Sequence, residues 1–178
     1  MKKQKDYSII SFVIRYFLLL VLGLGNLYIF YTLFTPITIN AVSFLLNFFY
    51  DVVLRDNLIY LNENISIGII NACVAGSAYY LLTILNLSVP NLKVKTRLYA
   101  IFYSFGFFYI INVLRIVLFA VLFKNNFSWF DLAHEFSWYF LSTLFVVIIW
   151  FSEVKLFKIK EIPIYSDIKY LYKMKNAK

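Results

Sequence analysis

Long apolar runs separated by short polar breaks dominate this chain, and most are of membrane-crossing length, for which a helix needs roughly 20 apolar residues. The first runs from about Ile9 to Tyr31 and is interrupted only by Arg15, close enough to one edge for its side chain to snorkel. A second, Ile37–Leu54, follows Pro36 and carries Asn40, Asn47 and Asp51. The third, about Ala72 to Leu87, is short but very apolar; the fourth, Leu98 to Phe123, holds Arg115; the fifth runs from about Phe136 to Phe151. Between Leu54 and Asn71, two short β-prone runs flank Asn62-Glu63-Asn64, which predicts a small hairpin ending at Asn71.

Composition strengthens this picture. Apolar types make up 62% and charged types 15% of 178 residues, against roughly 45–50% and 25% in soluble domains. With a mean hydropathy of +0.78, the chain reads as one integral membrane domain, residues 1–178. The first run is too long for a signal-peptide core and no small-residue cleavage site follows it, so a permanent anchor is expected. The single cysteine excludes an intramolecular disulfide.

A net charge of +8 raises the question of nucleic acid, but the basic residues lie between and beyond the apolar runs, where they set topology. Four precede or begin the first run (Lys2, Lys3, Lys5, Arg15), three lie in the connection 90–97, and seven follow from Lys155 to Lys178, which is fourteen of the seventeen Lys and Arg. All fall on the cytoplasmic side if an even number of crossings precedes residue 90. Ile37–Leu54 would then lie in the outer interface or re-enter from outside; if it spanned, the two terminal clusters would face opposite sides. The expectation is an α-helical polytopic membrane protein. It has four to five transmembrane helices, a re-entrant or interfacial helix, a short outer β-hairpin before the cysteine helix, and a basic cytoplasmic tail at 155–178.

Candidate chemistry gathers at one level of that topology. Cys73 begins a helix descending from outside. Arg115, 17 residues after Leu98 on an ascending helix, lies about 25 Å along it, just below the outer surface of a core about 30 Å thick. His134, the only histidine, follows the outer loop 124–131. Singly, Cys73 reads as a small hydrophobe and His134 as an interfacial residue. Arg115 is a functional hypothesis by default, its structural alternative being a pair with Asp51, Asp131 or Glu135. Together the three form a coherent set. A nearby cation favours the thiolate, His134 is suited to carry a proton from Cys73 to a leaving amine, and Arg115 to stabilise thiolate or oxyanion. Asn112, one turn before Arg115, is placed to orient it or a peptide carbonyl, and either Asp131 or Glu135 to orient His134. The clustered ligand spacing of zinc sites is missing, and no metal or cofactor is expected.

The segments Asn71-Ala72-Cys73-Val74-Ala75-Gly76 and Asn112-Val113-Leu114-Arg115-Ile116, with His134 on a later helix, resemble the exosortase/archaeosortase family over roughly residues 36–152. The run Ala72–Leu87 and the segment Glu161-Ile162-Pro163-Ile164-Tyr165-Ser166-Asp167 look most like its small archaeal pacearchaeosortase branch. Many exosortases have Ser-Gly after the cysteine where this chain has Val74-Ala75-Gly76. The resemblance implies a membrane cysteine peptidase or transpeptidase with Cys73 as nucleophile and Arg115 and His134 completing the catalytic set. Its expected partners are membrane-anchored proteins bearing a C-terminal motif, a transmembrane helix and a basic tail, with a lipid amine as a possible acceptor and no nucleic acid. Cleavage would occur at the extracellular face of the cell membrane.

Two other classes compete. In a non-catalytic membrane subunit or small transporter component, Arg115 pairs with an acid and Cys73 packs; a transporter usually carries its polar groups near the bilayer midplane. An interaction protein would use aromatic faces, but aromatic belts and lipid-facing helices account for 15 Tyr and 20 Phe. Asn64 and Asn126 each begin an Asn-x-Ser pattern on the expected outer side.

Overall fold

The computed structural model describes residues 9–62 and 65–176. Its longest helix, α1 (Ile9–Leu46), runs through the first apolar run and into the second. At Leu24 the backbone becomes extended (ψ 157°), and Gly25, Asn26 and Leu27 follow in the left-handed region at φ 63°, 54° and 62°. Gly and Asn adopt that region at little cost, so the break falls there and divides α1 into two helical arms. Pro36 lies inside the second arm rather than opening a new segment. A proline in a helix interior costs about 3 kcal/mol. Opposing that cost, Phe30, Phe34, Thr38, Val42 and Leu46 recur at every fourth position and are all buried. Ile37–Leu54 is therefore not one separate helix: residues 37–46 complete α1 and residues 52–54 enter the first strand.

Strands β1 (Val52–Arg55), β2 (Leu58–Leu61) and β3 (Ile65–Gly68) form an antiparallel meander in that order, one strand more than the expected hairpin. Ile59 and Leu61 of β2 are fully buried, and with Ile69 they join a core containing Val42, Leu46 and Val74. The sheet thus closes one end of the helical core, with β1 against α1. Asn62 ends β2 at φ 50° and its side-chain oxygen accepts from the Asp51 N–H at 3.0 Å. The rest of the expected Asn62-Glu63-Asn64 turn, with the Asn64 sequon, lies outside the described residues.

The chain continues through the single turn α2 (Asn71–Val74), α3 (Gly76–Leu87), α4 (Val94–Lys124), α5 (Phe130–Phe136), a π-helical turn Ser137–Leu141, α6 (Ser142–Leu156) and α7 (Tyr165–Asn176). Among the described residues, three helices are long and apolar enough to cross a membrane: α1, α4 and the continuous Phe130–Leu156. Of the four to five transmembrane helices expected, three have membrane-crossing length. With 12 residues, α3 reaches about 18 Å, because the expected 72–87 helix is broken at Ala75. The last crossing helix starts at Phe130, six residues before its expected beginning.

Contacts fix how these helices run. Tyr80 of α3 bonds Leu19 of α1 and Phe34 stacks on Tyr79 at 3.8 Å. Tyr79 in turn meets Phe105 and Phe108 of α4 edge-on, and Tyr103 of α4 bonds Ser152 of α6. Each of α1, α3, α4 and α6 is antiparallel to the next. Arg15 was expected to snorkel; it is instead 6% exposed and ion-paired with Asp167 of α7 at 2.8 Å. It also donates to the Leu87 carbonyl at 2.8 Å. Arg97 donates to the carbonyls of Asn86, Leu87 and Val89, so two guanidinium groups satisfy the exposed C-terminal carbonyls of α3. Ile164 N–H bonds the Ser88 carbonyl at 3.1 Å. The start of α1, the end of α3, the start of α4 and the docked helix α7 therefore share one end of the molecule. The sheet, α2 and α5 form the other.

Candidate active site

Cys73 owes its setting to a defect in helix geometry. Its N–H bonds the Ile70 carbonyl at 2.9 Å, so α2 starts directly from the extended segment after β3. Ala75 then takes the left-handed conformation, φ 57° and ψ 44°, an unfavourable region for a residue with a Cβ. That residue ends α2 and starts α3 in a new direction. Gly76 permits the redirection, since a Cβ there would come within 2.7 Å of the Tyr31 ring of α1. The break leaves carbonyls at Cys73 and Val74 without their helical partners. Asn112 supplies them: its side-chain amide donates to Cys73 O at 2.9 Å and to Val74 O at 3.4 Å. Asn112 is 2% exposed. It orients a peptide carbonyl, as one of its two expected roles required, and that carbonyl belongs to the nucleophile candidate itself.

Arg115 lies one turn further along α4. One guanidinium nitrogen donates to Ser142 Oγ at 2.5 Å, the other to Cys73 O at 3.5 Å. Among the described residues no carboxylate pairs with it, so the expected alternatives Asp51, Asp131 and Glu135 are not its partners. Ser142 was not anticipated. It follows the π-helical turn, and its hydroxyl donates to Ser137 O at 3.4 Å while accepting from Arg115. The extra residue of a π turn re-aims the side chains after it, and such turns recur at functional sites. The signal available was three hydroxyl residues, Ser137, Ser142 and Thr143, in an otherwise apolar run.

His134 sits on α5 with its ring stacked on Phe130, centroids 5.4 Å apart and planes 9° apart. Phe119 of α4 meets it edge-on at 5.2 Å. Two aromatic rings from two helices thus orient the imidazole. Among the described residues neither Asp131 nor Glu135 hydrogen-bonds it, and both face solvent or lipid. The orienting role expected of an acid falls to the aromatic pair.

Cys73, Arg115 and His134 line one cavity of about 290 Å³. Its remaining walls are mostly apolar: Ile67 and Ile69 from the sheet side, Ile116 and Phe123 from α4, Trp138 from the π turn. Three residues separated by 42 and 19 positions thus meet at one void, with Asn112 and Ser142 behind them. Chemically, the cavity joins a thiol, an imidazole and a guanidinium with no carboxylate counter-ion in a largely apolar enclosure. Among the described residues, no three of His, Cys, Asp and Glu cluster to hold a metal ion. No protein-family model matches the chain, and no curated protein or solved structure is similar to it.

Proposed function

We propose that this chain is a membrane-embedded cysteine peptidase or transpeptidase of the exosortase/archaeosortase type, cleaving the C-terminal sorting signal of exported proteins. One observation carries the reading: the only cysteine, the only histidine and an arginine that has no carboxylate partner among the described residues line a single cavity. The proposed reaction uses each once. His134 accepts the proton from Cys73 Sγ, and the thiolate attacks the scissile carbonyl carbon. The oxygen gains the electron pair of the broken π bond, and Arg115 donates hydrogen bonds to that oxyanion in the apolar enclosure. Collapse expels the amine, which takes the proton from His134 and leaves a thioester on Cys73. Water or a lipid amine then attacks the thioester, regenerating the thiol. Asn112 and Ser142 hold Cys73 and Arg115 in register.

The proposed setting is the cell membrane, with α1, α2–α3, α4 and α5–α6 as four passes and both termini cytoplasmic. Support comes from the three membrane-length helices and from the contacts of Arg15, Arg97 and Asp167 around the end of α3. The active site then faces outward, where a substrate held by its own helix diffuses in two dimensions to the cavity.

The test is co-expression with a candidate substrate carrying a motif, a transmembrane helix and a basic tail. Cleavage near the motif is expected, lost in Cys73→Ala and His134→Ala while both variants remain membrane-inserted. Unchanged processing in Cys73→Ala ends the proposal. The runner-up, a non-catalytic subunit or transporter component, draws on Glu153, fully buried on α6 beside Asn86 of α3. An ionisable residue at such a position is a functional hypothesis in its own right. It belongs near the other end of the molecule, however, away from the cavity.

A further inference from the structure

The three-stranded sheet has two edges, and they are treated differently. The β1 edge lies against α1. The β3 side borders the cavity: Ser66, Ile67 and Gly68 line it, and no residue of β1 or β2 does. The phase of the ladder decides what β3 offers there. Ile69 N–H bonds the Asn57 carbonyl at 3.0 Å, so Ile65, Ile67 and Ile69 turn their main-chain groups toward β2, in register with Leu61, Ile59 and Asn57. Ser66 and Gly68 therefore turn theirs outward, where no strand follows in the sheet among the described residues. Both are exposed, whereas Ile65 and Ile67 pack against the core.

An open edge in an apolar setting is a liability that proteins usually blunt with Lys, Pro or a covering element. Ile65-Ser66-Ile67-Gly68 contains none of the blunting residues. The same edge continues through Ile70 into α2, three residues before Cys73.

We propose that the outer edge of β3 is the main-chain docking site for the substrate, which binds as an added fourth strand and runs along Ser66 and Gly68 to the Cys73 thiol. The ligand class is an extended peptide segment, held by alternate backbone hydrogen bonds rather than by charge; main-chain pairing gives affinity and the flanking cavity selects side chains. The inference rests on the reading of Cys73 as nucleophile, and it specifies how the scissile segment is presented. It also gives the sheet a function that packing alone does not require of it.

The test separates docking from chemistry by using Cys73→Ala protein in lipid nanodiscs, made in a bacterial host so that the Asn64 sequon stays unmodified. The probe is a hexapeptide of alternating Ala and Val with one benzophenone side chain for photocrosslinking. Crosslinks are expected at residues 65–70. Methylating the peptide amides one at a time should weaken crosslinking at every second position, by about tenfold where an amide bonds the edge. Ser66→Pro removes only an outward N–H, a change an edge strand tolerates, and should weaken crosslinking by about the same factor. The N-methyl series uses an unaltered edge, so it decides the matter even if Ser66→Pro fails to fold. Crosslinks confined to the lipid-facing helices, or an N-methyl effect without alternation, overturn the proposal. Failure of the nucleophile reading appears separately, as processing that survives Cys73→Ala.

Discussion

Two arginines in apolar helices, Arg15 buried and Arg115 half-buried, have opposite surroundings. Arg15, at one end of the molecule, meets Asp167 at 2.8 Å and also bonds a carbonyl of α3. Its charge is matched, and the pair ties the first helix to the last. Arg115, at the other end, meets a serine hydroxyl and a carbonyl and, among the described residues, no carboxylate. Its charge stays available beside an open cavity. Both residues break the apolar pattern in the same way along the chain. The difference between them is whether an acid is brought to the cation. It makes the Arg15 end a clamp and leaves the Arg115 end as the candidate site.

The comparison can be broken from either side. The largest effect is expected from Arg15→Met, which removes the cation paired with a buried carboxylate and leaves it the Tyr16 hydroxyl: the loss should be about 3–5 kcal/mol of stability, read by thermal unfolding in detergent. An unchanged melting temperature would show that the pair holds nothing. Arg115→Gln should act the other way round, lowering the rate of substrate processing by about 10²–10³-fold, the scale of a lost oxyanion donor. A variant that unfolds instead of losing rate would make Arg115 a second clamp. Asn112→Ala takes its bond from Val74 O and leaves Cys73 O only the long contact from Arg115, and should cost about 1–3 kcal/mol. Here processing should fall with stability, because Cys73 moves when its carbonyl is released. The smallest effect is expected at Ala75, whose left-handed backbone suits glycine: Ala75→Gly should raise stability by up to about 1 kcal/mol. A loss there would mean that the methyl group, 8% exposed, contributes more by packing than it costs in backbone strain.

Much of this arrangement was legible along the chain. The fourth apolar run became α4 with nearly its expected limits, since a long uniform run has one low-energy form in lipid. Cys73, Arg115 and His134 were expected at one level from rise per residue and the direction of each run, and they line one cavity. Asn112 was expected to orient either Arg115 or a peptide carbonyl, and only the break at Ala75 showed that it bonds the carbonyls of Cys73 and Val74. Pro36 misled, because the local cost of proline was outweighed by a buried stripe whose partner, α3, is far along the chain. Arg15 misled because snorkelling is a property of one helix, whereas its partner Asp167 is 152 residues away.

The sequence by itself determined the membrane character, the apolar runs and the three polar side chains set into or beside them, since these depend on composition and on rise per residue. Tertiary structure alone decided which arginine is paired, that Ser142 stands behind the other, that aromatic rings rather than acids hold His134, and that the open edge of the sheet faces the cavity. The physical reason is common to all of these. Each depends on which partner arrives from a distant segment to satisfy a buried charge, a freed carbonyl or an unpaired edge, and the spacing of residues along a chain does not encode that arrival.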